Sequence, residues 1–357
     1  MRKEGVYGVK KAKGRVPLVL SALLCIMFFS VSAAGNLYAF SSDSIFTPIQ
    51  SENTGASPLK DAVASFSFPN TVPIIDNTSS VGDSLPVSAD PSQAVGKISR
   101  QFLSPYSAGL KYNNVYIKNS TGLNIDLKTE LNAGPVLRIN KKSEPEVLIV
   151  HTHATECYMS ETRDFYTSGD KTRSSDNSEN VVAVGKKMAD ILSAGGISVL
   201  HDTTHHDSPA YNQSYSRAAQ TINEYLRKYP SIKIVIDVHR DSVALSGNDK
   251  VAPTVKVDGR SAAQVMLIAG SQTGTVTNFE NWRENFRLAI RWHQMMEVMY
   301  PGLPRTMLFA SRRYNMNLTT GSMILEVGTE ANSFEEACYS AELAANSLLC
   351  LLNTLKE

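Results

Sequence analysis

Three apolar runs in the second half of the chain lead into side chains able to hold a metal or move a proton. EVLIV is followed by His151-Thr152-His153-Ala154-Thr155-Glu156, and KIVI runs into Asp237-Val238-His239-Arg240-Asp241. The third run, Met323-Ile324-Leu325, carries Glu326 before Val327. Histidine is a frequent zinc ligand, and a catalytic zinc keeps about three protein ligands and one open position for water. An acidic group outside the metal shell can then take the proton of the attacking water. A glutamate in a run as apolar as that around Glu326 costs too much to bury without a partner or a purpose. Taken singly, the His pair reads as a solvated loop, Asp237 to Asp241 as a salt-bridge network, and Glu326 as a helix brace. Together they predict a metal-dependent hydrolase, and spacing alone does not say which bond it cuts.

Such residues converge only if their strands lie side by side. The pattern from residue 146 onward alternates strand and helix. Strands are expected at EVLIVH, ISVLHD, KIVIDV and SMILEVG, with a hairpin turning at Asp258–Gly259 and a strand at 264–269. Val181, Val184, Met188 and Ile191 recur at helical spacing and predict a helix over 180–193. Further helices are expected at 211–228 and 280–299. A last helix carries Phe334, Cys338, Ala341, Ala345 and Leu349 on one stripe. This pattern predicts the α/β class, a mostly parallel sheet flanked by helices, with its site at the carboxyl ends of the strands.

The N-terminal third reads differently. Thirty-five basic residues against 34 acidic ones give a net charge of +1, which excludes a nucleic-acid binder with a basic footprint. Residues 1–15 form a basic tail, and residues 16–34 carry no charge. That length crosses a bilayer core of roughly 30 Å, and the basic flank sends the remainder outward. The span reads as an anchor, with a cleaved signal peptide as the alternative, since Ser32, Ala33 and Ala34 follow. Residues 35–105 are expected to be a flexible, low-complexity spacer, and 106–145 a short β-containing lead-in to the domain at 146–357. Cys25, Cys157, Cys338 and Cys350 do not make a disulfide framework and are expected as free thiols. His201, His205 and His206 read as a polar loop, and His293 as partly buried on its helix. Trp282, Trp292 and Tyr314 read as core packing, and Arg313 and Asn315 as possible cleft residues.

The stretch from about 146 to 350 resembles the stage II sporulation protein P family of endospore-forming bacteria. The resemblance rests on VLIVHTHATECY, ENVVAVGKKMADIL, DVHRDS, NWRENFRLAI, YPGLPRTMLFASRRYN and ILEVGTEANSFEEA. It implies an amidase-like fold, distantly similar to zinc-dependent N-acetylmuramoyl-L-alanine amidases. It implies Zn2+ held by His153, Glu179 and His239, with Asp176 and Glu156 as alternatives to Glu179. It makes Glu326 the catalytic base and gives Arg240 a peptide-binding or bracing role. The implied substrate is peptidoglycan, cut between muramic acid and L-alanine, with a second cut within the stem peptide. The implied setting is septal wall thinning and engulfment during sporulation, outside a membrane anchored by the N-terminal helix. Stage II sporulation proteins D and M are the implied partners. A different metal-dependent wall peptidase and a non-catalytic wall-binding scaffold are the competing readings.

Overall fold

The computed structural model describes residues 89–140, 144–245 and 247–356. In chain order it forms β1 (Ala94–Gln101), β2 (Leu110–Tyr112), β3 (Val115–Asn119), α1 (Leu127–Ala133), β4 (Val147–Val150) and β5 (Phe165–Thr167). Then follow α2 (Val181–Ala194), β6 (Val199–His201), α3 (Ser214–Lys228), β7 (Ile234–Asp241), β8 (Lys250–Val257) and β9 (Arg260–Ala263). The chain closes with β10 (Val265–Gly270), α4 (Trp282–Met299), β11 (Met307–Ala310), β12 (Gly321–Thr329) and α5 (Phe334–Thr354).

The larger sheet has eight strands in the order β2-β3-β11-β10-β12-β7-β4-β6. It is mixed: β2 runs against β3 and β10 against β12, and the other five pairings are parallel. A smaller sheet, β5-β1-β8-β9, has one parallel pairing, between β1 and β8.

Successive side chains on a strand point to opposite faces, and this alternation divides the core. Val147 and Ile149 of β4, Ile234, Ile236 and Val238 of β7, and Met323, Leu325 and Val327 of β12 share one buried cluster with α2, α4 and α5. Leu148, Val150 and Val235 point to the other face, where Ile222 of α3 closes a second cluster. Asp237, His239 and Glu326 fall at the alternate positions of β7 and β12, away from the large cluster. The helix starts follow local chemistry. Asn180 caps α2 by accepting from Val182 N at 2.9 Å, and Ser333 and Glu336 form a capping box on α5.

Two boundaries differ from the sequence reading. Residues 94–101, expected as spacer, form β1. Only Ile98 of that strand is buried, so it shows almost none of the apolar alternation that reveals a strand. The lead-in is not separate either, because β3 joins the larger sheet beside β11 and Leu127 and Leu131 of α1 enter the main core. The tail, the apolar span at 16–34 and spacer residues 35–88 lie outside the described residues. Among the described residues no helix is long and apolar enough to cross a membrane. Cys157, Cys338 and Cys350 are free.

His293 is fully buried on α4 and donates from Nε2 to Arg305 O at 3.2 Å. Burial pushes its pKa down from 6.5 to about 4. The unfolded chain therefore takes this proton first. The neutral ring's contribution is complete above pH 6.5 and is lost as pH falls towards 4. One such group costs about 2 kcal/mol of stability between pH 7 and pH 5. Thermal melting at the two pH values should show a smaller acid-induced drop in His293→Gln, and an unchanged drop would contradict this role.

Candidate active site

β7 and β12 are parallel neighbours whose register sets His239 directly beside Glu326 and Asp237 beside Ile324. The adjacent pair β4 and β7 places Val150 opposite Asp237. The chain leaving β4 thus crosses the carboxyl end of β7, and Thr152 donates to Asp237 through its backbone N at 2.8 Å and its hydroxyl at 2.6 Å. His153, the next residue, meets His239 edge to face with ring centroids 5.2 Å apart. Glu156 Oε2 lies 3.5 Å from His239 Nδ1 and accepts from Arg240 N at 3.2 Å. His239 Nε2 approaches Asp237 Oδ1 to 2.9 Å, but not along the line that a hydrogen bond requires.

His151 serves the scaffold. It lies on the α2 side, with Nδ1 donating to Val238 O at 3.0 Å and Nε2 2.9 Å from His201 Nε2. Gly185 of α2 makes room for it, since a Cβ there would sit 2.5 Å from the His151 ring. His206 donates to His151 O at 2.9 Å, and His205 contacts Asn177 Oδ1. The His201–His206 loop therefore braces the end of β4.

Two of the expected site residues lie elsewhere. Glu179 has a side chain 48% exposed, takes a hydrogen bond from Ser174 Oγ and sits 3.6 Å from Lys171 Nζ. Of the three loop carboxylates weighed as a middle ligand, the one that reaches His239 is Glu156. It stands three residues beyond His153 in the same HTHATE run, and that spacing was the available signal. Arg240 turns its guanidinium to Cys157 O at 3.2 Å and Thr172 O at 2.9 Å. It neither braces Asp237 nor reaches towards the histidines. Asp176 accepts from Ser178 N and Oγ at the loop before α2.

Electrostatics follow the packing. Burial would raise Glu156 and Asp237, but His239 outweighs it and holds both carboxyls below their usual range. Burial opposes charge on His239 as well, and Asp237 and Glu156 nonetheless raise it well above 6.5. Burial, together with the charge of His239, lowers His153. Glu326 is pushed up to about 8, chiefly by burial, although the charge of His239 pulls the other way. Its Oε2 is buried without a hydrogen-bond partner.

Among the described residues, no three His, Cys, Asp or Glu side chains stand ready to enclose a metal ion. In kind, however, the donors fit zinc. His153 Nδ1 is buried and unpartnered, Glu156 offers a carboxylate 3.5 Å from His239 Nδ1, and two imidazoles with one carboxylate are a common donor set for zinc.

Tyrosines wall this centre. Tyr211, 57% exposed, stacks on His153 at 4.3 Å and 8°. Tyr215 of α3 meets His153 edge on at 5.6 Å and lies nearly parallel to His239 at 6.4 Å. Tyr314 stacks on Tyr215 at 5.1 Å, while Trp292 and most of Trp282 pack in the core. Neither Tyr211 nor Tyr215 has a sequence signal that would have singled it out.

The family model described as Stage II sporulation protein P (SpoIIP) matches residues 97–348. Stage II sporulation protein P of Bacillus subtilis (strain 168) is 30% identical over 212 residues, 56% of this chain and 49% of that protein. The chain thus spans about half the length of that curated relative. Two amidase structures overlap it partially. One is the CwlD amidase of Clostridioides difficile in complex with the GerS lipoprotein (TM-score 0.37, 9% identity, 59% of this chain and 98% of that chain). The other is an N-acetylmuramoyl-L-alanine amidase of Clostridium difficile 630 (TM-score 0.36, 15% identity, 60% and 98%).

Proposed function

The chain belongs to the stage II sporulation protein P family, and from that premise we propose that it is a zinc-dependent peptidoglycan amidase. The bond cut is the amide between the lactyl group of muramic acid and the L-alanine of the stem peptide. The observation that carries this reading is the in-register pairing of His239 with Glu326, with His153 and Glu156 turned onto the same strand end.

His153, Glu156 and His239 would hold the zinc. Bound there, a zinc supplies a Lewis acid that polarises the amide carbonyl and lowers the pKa of water. Asp237, fixed by Thr152, orients the His239 ring. Glu326 accepts the proton of the attacking water as the water oxygen bonds to the carbonyl carbon, and returns it to the leaving nitrogen as the C–N bond breaks. The leaving group departs as the amine of L-alanine, which takes up the remaining proton of the new carboxyl group, and the lactyl group is left as a carboxylate. In the metal-free protein burial raises the pKa of the Glu326 carboxyl to about 8.

A cut within the stem peptide by the same centre belongs to this proposal. So does its setting, the outer side of the cell membrane during septal thinning and engulfment, with residues 16–34 as anchor and stage II sporulation proteins D and M as partners. Mass analysis of products from purified peptidoglycan tests the reading. Stem peptides with free L-alanine amines and denuded glycan strands are expected. Peptides shortened only at internal bonds would replace the amidase by a wall peptidase, and an absence of new ends would leave a scaffold.

A further inference from the structure

Hydrolysis of an amide puts negative charge on the carbonyl oxygen, and a fixed hydrogen-bond donor at that point speeds the reaction. Zinc held there would polarise the carbonyl, but Glu326, Glu156 and the two histidines leave no protein hydrogen-bond donor assigned to its oxygen. Tyr215 stands in the right place. Its ring meets His153 edge on at 5.6 Å and lies nearly parallel to His239 at 6.4 Å, so it walls the space in front of both candidate ligands. A phenol keeps its proton until about pH 10 and so remains a donor near neutral pH.

The elements that hold Tyr215 are built at a cost. Tyr314 and Asn315 both adopt left-handed backbone, with φ of 43° and 60°, and Gln213, two residues before Tyr215, has φ 68°. Non-glycine residues rarely occupy this region, and strain of this kind gathers at functional sites. Here it has an identifiable product. The Tyr314 ring stacks on the Tyr215 ring, and Asn315 Nδ2 donates to Tyr215 O at 2.8 Å. The 314–315 turn therefore grips Tyr215 by both ring and backbone.

We propose that Tyr215 donates the hydrogen bond that stabilises the developing oxyanion of the scissile carbonyl, and that Tyr314 and Asn315 are the positioning residues that hold it in place. No proton leaves the phenol; the O–H bond persists while the oxyanion forms and collapses. This rests on the amidase reading above.

The test is steady-state hydrolysis of a soluble muropeptide by the zinc-loaded protein, with Tyr215→Phe and Asn315→Gly beside the wild type. Phenylalanine retains the ring stacking, and glycine tolerates the left-handed backbone. For Tyr215→Phe, kcat should fall by about 10²–10³-fold, with KM, zinc content and melting temperature unchanged. Asn315→Gly should lower kcat by a smaller factor, again with zinc retained. A Tyr215→Phe variant within twofold of wild-type kcat overturns the proposal. So does one whose kcat falls only in step with zinc content, which would make the ring a mere prop for the histidines. A zinc-loaded wild type with no activity overturns the amidase reading itself, and this inference with it.

Discussion

Glu326→Gln should lower peptidoglycan hydrolysis by about 10²–10⁴-fold, the usual contribution of a positioned acid–base group, without loosening the fold. The amide has the shape of the carboxyl but cannot accept the water's proton. Glu326 is the one group beside His239 whose oxygen is both buried and unpartnered among the described residues, so glutamine breaks no existing hydrogen bond at Oε2. Stability should move the opposite way to activity. The folded pKa of about 8 lies above the ordinary 4.5. The unfolded chain therefore ionises first as pH rises, and this carboxyl lowers stability above pH 4.5. The cost is on the order of 3 kcal/mol at pH 7, part of which glutamine removes. The expected result is an inactive protein that melts no lower than the wild type. Wild-type turnover in Glu326→Gln would remove Glu326 from the chemistry.

Exchanging the two candidate carboxylates should separate them sharply. Glu156→Ala should reduce hydrolysis by at least about 100-fold, since loss of even an outer partner of a metal ligand costs about 10–100-fold. Glu179→Ala should stay within twofold of wild type, because its exposed carboxylate engages only Ser174 and Lys171. Initial rates on purified peptidoglycan decide between them. Loss of activity in Glu179→Ala with retention in Glu156→Ala would reverse the assignment. Arg240 separates the same way, because a guanidinium given to Cys157 O and Thr172 O holds the 156–173 loop against β7.

What the sequence could reveal follows from range. Strand and helix periodicity exposed β4, β7, β12, α2 and α5, since each buries a continuous stripe. The uninterrupted apolar runs before His239 and around Glu326 also marked both as lying on buried strands. β1 stayed hidden because a strand with one buried side chain has no stripe. The choice of Glu156 over Glu179 was hidden for a different reason. Both stand in loops near the start of α2, and only the turn that sends residues 153–156 back against His239 separates them. Tyr211, in the loop before α3, and Tyr215 of α3 lie more than 50 residues beyond His153. No local pattern encodes their contact with it.

Zinc bound per chain tests the central claim most directly, measured by atomic spectroscopy after chelation, reloading and removal of excess metal. The account predicts one zinc in the wild type and in Glu179→Ala, and essentially none in Glu156→Ala or His239→Ala, with all four chains folded. A wild type that hydrolyses peptidoglycan while retaining no zinc would contradict it, as would Glu156→Ala holding a full equivalent.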